Sequence, residues 1–463
     1  MMRSIKDKEF IKLIEDFEPE TIRIENIHVH IEESLSIDMR WQSFYFENCI
    51  FTGQRIDFYI YQLIEDSFQS LQFINCSISN DLFIKDCKLN IVEFRDVEIT
   101  SKSLHITTSR IESISITGSS NKHNKIKSIV LNHLKETNLN LDFRLNDIAE
   151  LYIHECSFNK VMMNANEVNR LTFEEIDCSS YFQFWKNTLK ENSIIKKSSF
   201  DEFIGKNSTY GAELKFEQVT FKDICRLELV PDKPISSLSF KECTFDKSAY
   251  FDDSNFHQLS INGTFFKDIV SFNSTTVSTI KFRSVHFDKV AFFNDFKILL
   301  KTLADLGTIR IIKTQLSKTD NKIDYLQYNA LEQELLLKDK RTSTSDKILL
   351  KLNRKSNYFG NDWIRGVWFT LRMSIYGFII LLIWNGFLNN SGYNYLISFN
   401  SKLPNATCQE ILREWLKFTF SFDLRSYRNY ESHGVLLLIF FFFKIFIGYG
   451  VYQTIAAFRK HSK

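Results

Sequence analysis

Glycine and proline are scarce in this sequence, which has 14 Gly and 4 Pro among 463 residues. Tight hairpins depend on such residues, and in the first 360 positions the Asn-Gly dipeptide that best marks a hairpin occurs only at Asn262-Gly263. This scarcity argues against a soluble part made of hairpins. The formal net charge of +2 likewise excludes a strong overall attraction to nucleic acid or anionic lipid, so charged partners must be bound by local patches.

Motifs of catalysis and cofactor binding are missing as well. The sequence has no P-loop, no Gly-x-Gly-x-x-Gly, no His-Glu-x-x-His and no nucleophile elbow. His28 and His30 form the closest histidine pair, but alternate residues of a strand with no Cys or acidic pattern beside them are typical of a surface rather than of a metal site. We therefore expect a protein that is not an enzyme, with no catalytic residue, no cofactor and no metal ion.

Phenylalanine is abundant, with 45 residues, and it recurs with a period. A unit apolar-x-apolar-x-x-small-x-apolar is clearest at Leu238, Phe240, Cys243 and Phe245. Further units start ten or eleven residues apart, at Ala249, Leu259, Val270, Ile280 and Ala291, so two units make a coil of 20 or 21 residues. Weaker copies begin at Ile22, Phe44, Leu71, Leu82, Val92, Leu104, Leu151, Leu171 and Leu214. Such a period indicates a solenoid, in which each coil buries its apolar face against the next.

The segment AYFDDSNF, residues 249–256, resembles the pentapeptide-repeat pattern, in which a small residue and an inward Phe or Leu recur every five residues. The resemblance implies a right-handed, four-sided parallel β-helix. It is clear over residues 238–297 and degenerate before them, where irregular spacings at 51–71 and 183–214 predict loops that leave the coil. We predict a mainly β fold, with a right-handed parallel β-helix over residues 1–296. A β-sandwich of short strands is the alternative.

Cysteine usage agrees with a solenoid in a reducing compartment. Six of the eight cysteines fall at or near the small inward position of a unit, where a thiol packs as a compact apolar group: Cys49, Cys76, Cys87, Cys156, Cys178 and Cys243. The sequence has no Cys-x-x-Cys pair, and its first residues are charged and amphipathic rather than a signal peptide. We expect the solenoid to lie in the cytoplasm.

A helical linker, residues 297–360, is predicted after the solenoid. Residues 297–311 and 322–352 lose the strand alternation and are rich in Leu, Lys and acidic residues, which indicates helices. Two roles stay open for this segment. It transmits movement of the solenoid to the rest of the chain, or it covers the strand edge of the last coil.

Two apolar runs, residues 367–388 and 435–457, are long enough to cross a bilayer, which takes about 20 helical residues. Arg372 and Lys444 are the charges within them, and the surrounding Leu, Ile, Phe and Val residues outweigh the cost of inserting each. Basic residues precede the first run and follow the second, at Lys351, Arg354, Lys355, Arg365, Arg459, Lys460 and Lys463. By the positive-inside rule we expect residues 361–463 in a membrane, with the N-terminal domain and the C-terminus in the cytoplasm.

The segment between the runs contains CQEILREWLKFTFSF, which predicts an amphipathic helix. Two spans around such a helix resemble the pore module of two-helix ion channels, although FTFSFDLRSY stands where potassium channels carry a carbonyl filter, so potassium selectivity is not implied. The pore-lining candidates on one helix face are Lys444, Gly448, Val451 and Ile455. Repeated around an oligomer axis, Lys444 would form a positive ring that favours anions, or a gate. The alternative is a lysine that pairs with a carboxylate or extends along a lipid-facing surface to the headgroups. Since two helices cannot enclose a pore, we expect a homo-oligomer, and the resemblance implies a homotetramer.

Two basic segments are candidates for binding the phosphates of a nucleotide or oligonucleotide. Their lysines are Lys122, Lys125 and Lys127 in the first segment, and Lys186, Lys190, Lys196 and Lys197 in the second. Charge runs are more often solvated surface, and that alternative stays open.

The order of segments, a cytoplasmic repeat followed by two C-terminal spans, is similar to membrane effectors of bacterial antiphage defence such as those of the Hailong system, which implies a location in the bacterial inner membrane. The resemblance implies a pore controlled by a nucleotide-type signal from a partner nucleotidyltransferase. The alternative hypothesis is a membrane-tethered β-helix scaffold without a pore.

Overall fold

The computed structural model describes residues 2–15, 21–39, 42–59, 69–120, 122–134, 138–228, 235–389, 408–420 and 434–458. The chain divides into two compact units, Met1–Thr319 and Asp320–Lys463. The division falls within the segment predicted as the linker.

The first unit is a parallel β-solenoid of about 12 coils. Within the described residues its first sheet, numbered along the chain, contains β1 Arg3–Lys6, β3 Ile27–Ile31, β4 Leu35–Asp38, β6 Ile50–Gly53, β7 Ile56–Tyr59, β9 Ser77–Ile78, β10 Leu82–Lys85, β12 Glu98–Thr107, β14 Asn124–Asn132, β16 Asn146–His154, β18 Glu167–Glu174, β20 Thr188–Leu189, β21 Ser193–Lys196, β23 Thr209–Tyr210, β24 Glu213–Glu217, β27 Ile235–Lys241, β30 Asn255–Asn262, β33 Thr276–Arg283 and β36 Lys297–Ile298. The second sheet contains β2 Thr21–Glu25, β5 Ser43–Glu47, β8 Ser70–Ile74, β11 Lys88–Arg95, β13 Arg110–Thr117, β15 Asn140–Arg144, β17 Ser157–Asn164, β19 Asp177–Trp185, β22 Ser199–Lys206, β25 Thr220–Phe221, β26 Cys225–Glu228, β28 Thr244–Phe245, β29 Ala249–Tyr250, β31 Phe265–Phe266, β32 Val270–Ser271, β34 His286–Phe287 and β35 Ala291–Phe292.

Strand register repeats with the predicted period. Leu238 pairs with Leu259, and Leu259 pairs with Ile280, in parallel. These residues are 21 positions apart, which is one coil. The prediction of a parallel β-solenoid is confirmed, and the alternative of a sandwich is wrong.

Phenylalanine rings form the apolar seam inside the coils. Phe221, Phe245, Phe266 and Phe287 stack in succession with ring centroids 4.6, 4.6 and 5.2 Å apart. Rings at the spacing of paired strands gain stacking contacts in addition to their burial, so one residue type repeated at one position stabilises every neighbouring coil.

Residues in the left-handed backbone conformation form the corners of the coils, and few of these residues are glycine. Asn48, Asn75 and Asp86 have φ of 53°, 52° and 52°, and each connects the end of one strand to the start of the next. Asn and Asp adopt this conformation more readily than most other side chains. The solenoid therefore turns without the glycine that hairpins require.

Several residues that follow a corner are buried and carry a small side chain. Cys49 and Cys87 are among them, and their thiols donate to the carbonyls of Ile24 and Phe58 in the preceding coil, each at 3.4 Å. Burial raises the pKa of Cys87 to about 12. All six predicted inward cysteines are buried, as is Cys225. Cys178 differs, because it lies within β19 rather than after a corner.

Asparagines occupy the same position in four successive coils. The amide of Asn124 donates to Asn146 at 2.7 Å, that of Asn146 to Asn166 at 2.8 Å, and that of Asn166 to Asn187 at 2.9 Å. All four side chains are buried, with exposures of 0 or 1%. This ladder satisfies buried amides that would otherwise be costly in the core.

Residues 183–214 do not leave the coil as the irregular spacing suggested. They contain the end of β19 and the strands β20 to β23, which pair in register with their neighbours. The sequence pattern does not reveal the repeat in this segment, because short strands on two faces of the coil take the place of one long strand. For the other predicted loop, residues 60–68 lie outside the described residues.

Helices cover both ends of the solenoid. At the start, α1 Asp7–Glu15 buries Phe10 against Phe46 and Phe51, with ring centroids 6.3 and 6.2 Å apart. At the end, α2 Leu306–Lys318 follows a short 3-10 turn at Lys301–Leu303 and offers two side-chain oxygens to the last strands. Phe282 N donates to Thr308 Oγ1 at 2.9 Å, and Ala291 N donates to Gln315 Oε1 at 3.2 Å. The capping interpretation is therefore correct for α2, which begins later than predicted because residues 297–298 still belong to β36.

The second unit is helical. Its elements are α3 Lys322–Lys338, α4 Thr344–Asn357, α5 Trp363–Asn389, α6 Cys408–Phe420 and α7 Gly434–Phe458. Asn321 and Ser343 cap the first two by accepting from the backbone N–H groups of Asp324 and Asp346. The predicted helix 322–352 is thus two helices with a break at residues 339–343. The two predicted apolar helices are present as α5 and α7.

Candidate functional site

The two apolar helices α5 and α7 pack against each other in antiparallel directions through glycines. A Cβ added to Gly366 would lie 2.5 Å from Thr454 Oγ1, and one added to Gly377 would lie 2.6 Å from Phe443 Cγ. A Cβ on Gly450 would likewise overlap Thr370. Small residues that let backbones approach are the usual basis of helix pairing in lipid. Both helices are long and apolar enough to cross a membrane.

The short helix α6 packs its C-terminal half between α5 and α7. Phe418 joins a buried cluster with Phe378 and Leu381 of α5 and with Phe443 and Ile447 of α7. Its neighbour Thr419 lies 2.5 Å, oxygen to oxygen, from Ser374 of α5. Both hydroxyl residues are buried. The helix predicted from CQEILREWLKFTFSF therefore exists, and Phe418 and Thr419 near its last described residue are buried in the bundle, whereas Phe420 is 72% exposed.

Lys444 of α7 lies at that helix end. Its ammonium group donates to the backbone carbonyl of Phe418 and lies 5.0 and 5.3 Å from the ring centroids of Phe418 and Phe440. The residue is 4% exposed. The last carbonyls of a helix lack partners within the helix and carry partial negative charge, so a lysine is the natural cap for them. Cation–π contact with two rings stabilises the same charge.

The other pore-lining candidates are less buried than Lys444. Gly448 is half-buried, whereas Val451 and Ile455 are 42% and 51% exposed. The four candidates share one helix face, yet that face runs from the buried Lys444 to an exposed apolar end. A pore-lining role for them stays a prediction. Residues 421–433, where the filter of a potassium channel would continue, lie outside the described residues.

Polar side chains of α4 bind α7 near the other end of the bundle. Asn353 Oδ1 accepts from the hydroxyl of Tyr449 and, at 3.3 Å, from Gln453 Nε2. The Asn357 amide donates to the backbone carbonyl of Gln453 at 3.2 Å and also to its side-chain oxygen. Asn357 is 1% exposed. We call these four residues the amide clasp. No periodicity in the sequence indicates this clasp, since its two halves are separated by 96 to 100 residues.

The candidate phosphate-binding lysines contact acidic or neutral groups of neighbouring residues. Three form ion pairs one coil away: Lys190 with Glu167 at 2.9 Å, Lys196 with Glu174 at 2.8 Å, and Lys197 with Glu175 at 3.1 Å. The others contact neutral groups or stand in register with an acid: Lys122 with Asn75 at 3.3 Å, Lys127 with the Ser101 carbonyl at 3.1 Å, Lys186 over the Trp185 ring at 4.7 Å, and Lys125 beside Asp147. Lys125 and Lys190 border the same column of acidic residues on the first sheet. A bound phosphate would take the place of these carboxylates as the ion-pair partner of the lysines.

Histidines contribute one cluster that the sequence did not reveal. His28 and His30 both contact Thr52 Oγ1, at 3.0 and 3.1 Å. In contrast, His133, His154 and Glu155 bring three potential metal ligands together, with ligand atoms within 4.8 Å of one another. The signal was a spacing of 22 residues between His133 and Glu155, which equals one coil and has meaning only once the register is known.

Comparison of the whole chain with protein-family models, with curated proteins and with solved structures finds no match. The geometry of the chain itself is therefore the basis for assigning a function.

Proposed function

We propose that the chain forms a homo-oligomeric membrane pore, in which α5 and α7 span the bilayer, α6 borders the water path and the solenoid senses a ligand in the cytoplasm. The observation that carries the proposal is the position of the α6 end. It lies beside Ser374, the twelfth of 27 residues in α5, and beside Lys444, the eleventh of 25 residues in α7.

If α5 and α7 span the membrane, α6 ends near the middle of the hydrocarbon. Chain that leaves a helix at that depth exposes backbone polar groups, and membrane proteins tolerate it only where it is buried in protein or lines a water-filled cavity. A simple membrane anchor needs neither a third helix nor a buried lysine. In the proposed pore Lys444 positions the α6 end and adds positive charge beside the water path, which favours anions.

An oligomer follows from the same geometry, because two helices and a short third one cannot enclose a pore. Exposed apolar side chains on both spanning helices are available for contacts with lipid or with other copies, among them Leu438, Phe442 and Ile445, which are 71%, 56% and 67% exposed. We propose four copies by analogy with other two-span pores.

The proposed cellular role is that of an antiphage-defence effector of the inner membrane, controlled by a nucleotide-type signal from a partner nucleotidyltransferase. It is supported by the order of solenoid and apolar helices and by surface lysines that a phosphate can recruit from their glutamates. The proposal assigns no catalytic reaction and no cofactor to the chain. The amide clasp supports a route for gating within the helical unit, since a displacement of α4 acts directly on α7.

The test is ionic current across a planar bilayer that contains the purified full-length protein. We expect discrete conductance steps, and a reversal potential in a salt gradient that indicates preference for anions. Lys444→Met should reduce that preference, whereas Lys338→Met, which removes an exposed lysine of α3, should leave it unchanged. A folded protein that produces no current with or without candidate ligands would favour the scaffold alternative. A current with equal selectivity in both variants would refute the role of Lys444 alone.

The ligand is tested separately by fluorescence anisotropy with a labelled single-stranded oligonucleotide. Binding should weaken with salt and with the double substitution Lys190→Gln and Lys197→Gln, but not with Lys338→Gln. Equal affinity in all three proteins would exclude these lysines as the phosphate contact.

A further inference from the structure

A cluster of two histidines and one glutamate forms on the surface of the solenoid. Asn132 at the end of β14 pairs with His154 at the end of β16, so the next residues, His133 and Glu155, occupy neighbouring corners. His133 Nδ1 lies 2.7 Å from Glu155 Oε2, and His154 Nε2 lies 3.8 Å from Glu155 Oε1. Three coordinating atoms from two successive coils thus face one point.

Asn132 orients one of these ligands. Its side-chain oxygen lies 3.0 Å from His154 Nδ1. An amide oxygen only accepts hydrogen bonds, so Nδ1 carries the proton and Nε2 presents its lone pair toward Glu155. A histidine whose second nitrogen is fixed in this way is the usual arrangement of a metal ligand. The Tyr152 ring, 6.0 Å away and nearly parallel, restricts the imidazole further.

The charges around the cluster suit a divalent cation. In the next coil the carboxylates of Glu174 and Glu175 are neutralised by Lys196 and Lys197. In the preceding coil the corner residue is the uncharged Thr108, whose hydroxyl donates to Asp86 at 2.6 Å. Glu155 itself contacts both histidines of the cluster.

We propose that His133, His154 and Glu155 bind one divalent transition-metal ion of the zinc type, and that water completes its coordination. Two imidazoles and a carboxylate are a donor set that zinc prefers, and a three-ligand site leaves one position open. His133, with 42% of its side chain exposed, gives the ion access from solvent. A bound ion would link two adjacent corners of the solenoid.

Isothermal titration calorimetry tests the site with zinc chloride and the full-length protein in detergent, after removal of metal with a chelator. Cobalt(II) serves as a second probe, since imidazole and carboxylate ligands around a tetrahedral ion give it intense visible absorption. We expect one equivalent to bind. His154→Ala should lower the affinity at least about 100-fold, and Asn132→Ala about 10- to 100-fold, because the His154 ring then loses the group that orients it.

The matched control is His286→Ala. His286 also faces a carboxylate, with Nε2 at 2.9 Å from Asp288 Oδ1, but it lies outside the cluster. Its substitution should leave zinc affinity unchanged. Glu155→Gln keeps the side-chain size and separates loss of a ligand from loss of folding, which circular dichroism checks. Absence of stoichiometric binding by the native protein, or equal affinity in the His154, Glu155 and His286 variants, would overturn the proposal.

Discussion

The Asn357 side chain, at the end of α4, donates a hydrogen bond to the backbone carbonyl of Gln453 in α7 at 3.2 Å. The same asparagine accepts from Gly360 N at 2.9 Å, so it connects the turn that leads into α5 with the second apolar helix. One buried amide therefore sets the position of three segments of the helical unit.

Removal of this amide should loosen the amide clasp. We expect Asn357→Ala to lower the free energy of unfolding by about 1–3 kcal/mol, because it leaves buried polar groups without a partner. Thermal unfolding of the full-length protein in detergent measures the change. Gln327→Ala, which removes an exposed amide of α3, is the control and should change the melting temperature little. Equal melting of both variants would show that the clasp does not stabilise the unit.

Packing of α5 on α7 depends on Gly366. Gly366→Leu should destabilise the pair by about 1–3 kcal/mol or separate the helices, because any side chain there meets Thr454. The adjacent Val367 is 36% exposed, so Val367→Leu introduces the same side chain at little cost. Thermal unfolding of the full-length protein in detergent measures the difference between the two variants. If both variants melt at the same temperature, the glycine contact is not what holds the helices together.

The asparagine ladder should be one of the most sensitive positions of the solenoid core. Asn166→Ala removes an acceptor from the Asn146 amide and from the Asn146 backbone N–H, and a donor to the Phe143 carbonyl. At about 1–3 kcal/mol for each unsatisfied buried group, we expect a loss of several kcal/mol. Asn159→Ala removes an exposed amide from the same coil and serves as the comparison. Denaturant unfolding followed by far-ultraviolet circular dichroism measures both, and similar midpoints would contradict the importance of the ladder.

Acid should weaken the solenoid through Glu217. Hydrogen bonds from Lys215 and Lys241 lower the pKa of this carboxyl to about 2 from its ordinary value of 4.5. A depressed pKa means that the stabilisation is complete above pH 4.5 and is lost as the pH falls toward 2. Glu217→Gln should therefore flatten the pH dependence of unfolding in that window. Glu213→Gln on the same strand is the control, and identical pH profiles for the two variants would show that the ion pairs contribute nothing measurable.

The solenoid was predictable because the sequence pattern that specifies it is local and repeated. The inward positions of Leu238, Phe240 and Phe245 recur at a fixed interval, and a parallel coil is what lets each copy bury the last. Coils with short strands, as at residues 183–214, lack that rhythm and were interpreted as loops. The apolar helices were predictable for the same local reason, since length and composition suffice to recognise them.

The candidate sites were harder to predict because they depend on tertiary contacts. The partner of Lys444 is a carbonyl at the end of a different helix, and no spacing in the sequence connects the two. His133 and Glu155 become neighbours only through the register of β14 and β16. In both cases the chemistry of a residue depends on a partner that a distant segment of the chain brings beside it.

The helices over the first and last coils have a consequence for how copies of the chain meet. The side chains of Thr308 and Gln315 accept hydrogen bonds from backbone N–H groups that could otherwise pair with another strand. End-to-end fibre growth is therefore blocked at that terminus. At about 4.8 Å per coil, the solenoid is a rod roughly 55 Å long whose length is fixed by its own sequence. Copies of the chain therefore cannot lengthen one another's sheets at that end, and any contact between copies there has to involve side chains rather than the backbone ladder.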